Sequence, residues 1–169
     1  MIKEKELREM RPRVRYQNGA SIMLKTIQNA LQDYFDEAAI PVAFYADQIK
    51  YGGLIGGSTE DCIVLYHPQH ENDYYKVAIT VNHQGKYAFV SVNDFGSSRQ
   101  LGNQGSVEYL KETLKFGNGV TTSEKVGALI GAGARRLIMG GVNKQKLQEE
   151  QDWYQFVMEA FEEIVAYEN

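Results

Sequence analysis

The chain has 169 residues, 43% of them hydrophobic and 24% charged, with a formal net charge of −4. That length suits one globular domain able to bury about two-thirds of its unfolded surface, and the composition excludes a disordered or fibrous protein. The acidic balance excludes a general affinity for double-stranded DNA, whose phosphates it repels.

The charge is unevenly spread. Residues 1–15 hold Lys3, Lys5, Arg8, Arg11, Arg13 and Arg15 against Glu4, Glu6 and Glu9, a net of +3, so the remainder carries −7. The expectation is a solvated basic arm over 1–15 and a single globular domain over 16–169. Such an arm offers nucleic acid or an anionic membrane a contact, although a charged terminus is ordinarily just solvated. One cysteine, Cys62, excludes an intramolecular disulfide, and the charged opening Met1–Lys5 lacks the apolar run of a secretion signal. The expected compartment is the cytoplasm.

The first element is a helix from about Ser21 to Glu37, where Met23, Ile27, Leu31 and Tyr34 form one stripe and Leu24 and Phe35 widen it. Pro41 requires the helix to have ended before it. Four extended segments follow, at Val42–Ile49, Cys62–His67, Tyr75–Asn82 and Lys86–Asn93. The last two alternate cleanly. With Gln84-Gly85 as the hairpin loop, Val77 opposes Val92, Ile79 opposes Val90 and Val81 opposes Ala88, all on one apolar face. The other face carries Tyr87 and Phe89, a surface that either a helix covers or a partner contacts.

Helical patterns return after the sheet. Ser106 caps a short helix over Val107–Phe116, and Thr121 to Glu124 reads as a capping box opening a second helix towards Met139. The last helix covers about Lys144 to Tyr167, with Trp153, Phe156, Val157, Ala160, Phe161 and Ile164 inward and Glu149-Glu150 and Glu162-Glu163 on its solvated side. Like elements run together, so the expected fold class is α+β: a four-stranded mainly antiparallel sheet preceded by one helix and followed by three helices packed on one face.

Candidate chemistry is sparse. Cys62, His67, His70 and His83 crowd together in sequence, but the strand reading puts His67 and His70 at one sheet end and Cys62 and His83 at the other, so no four-ligand metal site is expected. Cys62 reads as a small core residue. The Gly52–Gly57 run lacks the lysine of a phosphate-binding loop and is followed by Glu60-Asp61, so it reads as a hairpin flap. The dinucleotide fingerprint fails at Gly131-Ala132-Gly133, which has an arginine where the third glycine belongs and sits within a helix pattern. Gly127, Gly131 and Ala134 or Gly133 instead lie along one helical edge, suited to close intramolecular packing or a subunit contact. In the long loop from Asp94 to Gly105, Arg99 can clamp an anion with Ser97 and Ser98.

No catalytic constellation, cofactor motif or metal set is legible. The leading expectation is therefore a small non-enzymatic protein-binding or assembly module, partnered by itself as a homo-oligomer or by another protein. Its contacts would run through Tyr87, Phe89, Gly127, Gly131 and Arg135, since tyrosine, of which there are eleven, favours interfaces. The alternative is a small-molecule or anion-binding domain, or an enzyme, with its site between the Gly52–Gly57 flap and the Asp94–Gly105 loop, using Asp94, Ser97, Ser98 and Arg99.

Overall fold

A computed structural model describes residues 1–53, 55–100 and 144–165. The alternating segments form four nine-residue strands, β4 (Ala43–Tyr51), β5 (Ser58–Tyr66), β6 (Lys76–Gln84) and β7 (Tyr87–Phe95), each antiparallel to the next. Three short strands precede them: β1 (Ile2–Lys3), β2 (Arg8–Glu9) and β3 (Val14–Tyr16). β1 lies parallel to β4 with Ile2 opposite Ile49, while β2 and β3 lie antiparallel to β7. The four-stranded sheet expected from sequence is thus a seven-stranded mixed sheet in the order β1-β4-β5-β6-β7-β2, with β3 also on β7. The expectation counted only long alternating runs, and two-residue strands carry no period to count.

Chain length curls this sheet into a half-barrel. Laid flat, the six strands from β1 to β2 would separate the outermost pair by about 24 Å. Only five peptide steps join Lys3 to Arg8, a reach of about 17 Å when fully extended. Part of that reach is spent on the 3-10 turn Glu4–Glu6. The edges must therefore bend towards each other, and residues 1–16 strap the sheet from one edge to the other. They are not a solvated arm: Ile2, Met10 and Val14 are buried.

The main core lies on one face, under helix α1 (Leu24–Glu37) and helix α2 (Lys144–Val165), which pack side by side. Ile27, Leu31 and Phe35 from α1 and Trp153, Val157 and Phe161 from α2 meet Ile63, Leu65, Val77, Ile79, Val90 and Val92. A smaller core of Ile2, Ile49, Cys62, Val64 and Ala78 lies on the opposite face, with Leu7 of the strap packed against it. Cys62 is a core residue there, and burial pushes its thiol pKa up to about 11. Phe156, placed inward by the sequence stripe, is 43% exposed, while Tyr154 and Met158 are buried in its stead.

Of the helices expected after the sheet, α2 alone falls within the described residues. Those expected over Val107–Phe116 and Thr121–Met139, with Gly127, Gly131 and Arg135, lie outside them. The β6–β7 hairpin keeps its expected faces but shifts its pairing by two: Ile79 opposes Val92, Val81 opposes Val90 and His83 opposes Ala88. The cause is Gly85, whose φ is +61°. With Gly85-Lys86 as the loop, the positive φ falls on glycine at the first loop position; a Gln84-Gly85 loop would force it on glutamine. An even shift leaves every side chain on its own face.

Candidate functional site

Strand pairing builds one surface feature directly. On β3, Val14 and Tyr16 turn into the main core, so Arg13 and Arg15 turn to the opposite side, where β7 presents Phe89 and Tyr87. The Arg13 guanidinium lies 4.4 Å from the Phe89 ring centroid, and Arg15 lies 5.5 Å from that of Tyr87. Lys86 adds its ammonium 5.4 Å from the same Tyr87 ring. All three cations are exposed and none forms an ion pair among the described residues, while both rings are half-buried. Arg13 and Ser91 also border a groove of about 350 Å3 beneath the strap, whose wall includes Glu4, Glu9, Tyr51 and Asn93.

A second cluster occupies the other end of the sheet, where the nine-residue β5–β6 connection (67–75) and the turn after β7 meet α2. His70 stacks on Tyr74 with ring centroids 4.1 Å apart, and its Nδ1 is 3.2 Å from Asp73. His67 sits edge-on to His70 at 4.6 Å and beside Trp153 at 5.6 Å. The backbone N–H of Gln69 donates to His67 Nδ1, and burial, then neighbouring His70, lower the His67 pKa. No group of three or more His, Cys, Asp or Glu side chains fit to hold a metal ion occurs among the described residues.

Behind these rings lies Glu150, fully buried on α2. Tyr154 accepts a hydrogen bond from the Tyr75 backbone N–H at 2.7 Å and donates its own proton to Glu150 Oε1 at 2.6 Å. Ser98 also hydrogen-bonds this carboxyl, while Oε2 has no partner among the described residues. Burial pushes the Glu150 pKa up to about 7; the bonds from Ser98 and Tyr154 pull it down, and Asp73 raises it. Sequence reasoning placed Glu149-Glu150 in solvent. The signal it passed over is the 4-3-4 spacing of Glu150, Tyr154, Val157 and Phe161, which puts Glu150 on the buried side of α2.

The residues expected to bind an anion do not converge. Asp94 is buried and accepts from Arg8 Nη2 at 3.0 Å, with the Arg8 guanidinium over the Tyr75 ring. Ser98 turns to Glu150, Ser97 and Arg99 are exposed, and the Arg99 backbone N–H donates to Asp73 O. Among the described residues, the flap and this turn lie at opposite ends of β7, roughly 26 Å apart at 3.3 Å per residue; residues 101–105 of the expected loop lie outside the described residues. By contrast Tyr87 and Phe89 are brought together with Arg13 and Arg15, which the charge pattern assigns to a solvated arm, and with Lys86 of the hairpin. Among the described residues no helix is long and apolar enough to cross a membrane. Comparison of the chain with protein-family models, with curated proteins and with solved structures found no match.

Proposed function

We propose that the protein is a cytoplasmic, non-enzymatic binding module whose working surface is the Arg13–Phe89, Arg15–Tyr87 and Lys86 ladder, and that its partner is an acidic polypeptide segment. One observation carries the reading: a chain of net charge −4 sets three exposed cations, without ion pairs among the described residues, side by side on two aromatic rings. Stacking restrains the guanidinium groups at a modest gain of about 0.5–1 kcal/mol each, and leaves their N–H edges free to donate to carboxylates. A carboxylate-bearing strand at the β-repeat matches the alternation of Arg13 and Arg15. Glu4 and Glu9 beside the ladder oppose the continuous charge of a nucleic-acid backbone and favour a short acidic stretch. A buried, unpaired Cys62 suits a reducing compartment.

The test is fluorescence anisotropy of a labelled oligo-glutamate peptide titrated with the full chain at two salt concentrations. Binding should weaken with salt and fall at least tenfold in Arg13→Ala/Arg15→Ala, with the melting temperature held within a few degrees. Equal binding by the double variant overturns the reading. Salt-sensitive self-association in light scattering, lost in the same variant, would identify the acidic segment as part of a second copy.

A small polar ligand in the groove beneath the strap is the second reading, favoured by the size of that groove. It requires a ligand whose stabilisation of the protein is lost in Asn93→Leu and kept in Arg99→Ala.

A further inference from the structure

Glu150 stands where three segments meet, each bringing a polar group to it. Its own helix supplies Tyr154, the turn after β7 supplies Ser98, and the β5–β6 connection supplies His70, Asp73 and Tyr74. These are the titratable and polar groups that face it among the described residues. Tyr154 engages Oε1, and Ser98 hydrogen-bonds the same carboxyl. Tyr154 is committed in direction, because it accepts from the Tyr75 N–H and so must donate to Oε1. Oε2, buried and without a partner among the described residues, suits a neutral carboxyl and not a dry carboxylate. Ionising this group in the closed site leaves Oε2 a buried charge with no donor among the described residues, whereas lifting the Ser98 turn or the β5–β6 connection from α2 lets water reach it.

We propose that Glu150 is a proton-operated clasp: neutral, it holds the turn containing Ser98 and the His70–Tyr75 connection on α2, and ionised, it releases them. The device is separate from the basic ladder, which lies at the other end of β7. Two backbone hydrogen bonds report on it, Tyr75 N–H to Tyr154 and Arg99 N–H to Asp73 O. The open form, with a solvated carboxyl, ionises at the ordinary value near 4.5, and the closed form near 7. Opening thus grows about tenfold per pH unit between those values and is constant above them.

The experiment is amide hydrogen exchange of the full chain from about pH 5 to pH 8, corrected for the intrinsic rate. In the wild type, protection at Tyr75 and Arg99 should fall about tenfold per pH unit up to about pH 7 and then level, while amides in the middle of β6 and β7 hold constant. In Glu150→Gln, which fills the same space without titrating, the profile at both reporters should be flat. Parallel profiles in wild type and Glu150→Gln would overturn the proposal. Tyr154→Phe keeps the carboxyl and removes one donor to its ionised form, so its levelling point should move to higher pH. An unmoved levelling point counts equally against the clasp.

Discussion

Ala39 ends α1 with a φ of +53°, alone among the described non-glycine residues in lying at positive φ. The N–H of Ile40 bonds back to Phe35 O at 2.9 Å, the long return bond of a Schellman turn, whose left-handed position glycine normally fills. An alanine there is strained by about 1–2 kcal/mol, partly offset because glycine gives more freedom to the unfolded chain. Ala39→Gly should therefore raise stability by about 0.5–1 kcal/mol in urea denaturation; a loss would mean the strain is relieved elsewhere. Gly19 presents the reverse case. A Cβ built on it would stand 2.3 Å from Ala88 Cβ and 2.5 Å from the Ala88 backbone nitrogen. Gly19→Ala should cost about 1–3 kcal/mol, as overpacked sites do. Adding Ala88→Gly should not restore it, since the backbone clash stays. Pro41 announced in the sequence that α1 had ended, but neither the left-handed Ala39 nor the close approach at Gly19 has a sequence signature. The approach at Gly19 depends on where the distant Ala88 lies.

Among elements, the long strands and both described helices were legible because their periods are long enough to count. The strap was not. Its strands run two or three residues, and its alternation of basic and apolar side chains, Arg11, Arg13 and Arg15 against Met10, Val14 and Tyr16, was hidden by the charge total. Charge said arm, whereas burial says structural element. Arg11 is buried and donates from Nη1 to Phe161 O at 3.0 Å, and the Tyr16 hydroxyl donates to Val165 O. These two bonds tie the strap to α2 at Phe161 and Val165, so the strap holds a helix on one face while Ile2 and Leu7 cover the small core on the other. Removal of residues 1–9 should expose Cys62, which is 1% exposed with its thiol pKa pushed up to about 11. A thiol reagent at neutral pH should label the truncated chain many times faster than the intact one. Equal labelling rates would return these residues to the status of a removable tail. The same failure of counting hid the ladder: Tyr87 and Phe89 were legible as a face, but Arg13 and Arg15 come from the strap that the charge run disguised.

At the scale of the whole molecule, a short strap and a buried carboxyl set opposite demands on one sheet. The strap draws the edges together from Ile2 to Arg8, while the far end is held to α2 through a group that titrates near neutrality. Glu150 binds its proton more tightly in the folded chain, with a pKa near 7 against 4.5 unfolded. The folded state thus holds the extra proton between those values, and stability falls as pH rises through them, by on the order of 3 kcal/mol in all. His67 acts in the other sense. Its folded pKa lies below the ordinary value of 6.5, so acidification protonates the unfolded chain first and removes stability as pH drops below that value. The two slopes oppose each other below about pH 6.5, so the wild-type profile there should be shallower than Glu150 alone would make it. Glu150→Gln separates them. Its stability should exceed that of the wild type by about 3 kcal/mol at pH 8, by progressively less on acidification, and by nothing below about pH 4.5. With the Glu150 slope gone, the variant should lose stability on the acid side, where only His67 remains of this pair. A pH-independent offset between the two chains in denaturant midpoints would mean that Glu150 is already solvated in the native state and that the far end of the sheet is held by packing alone.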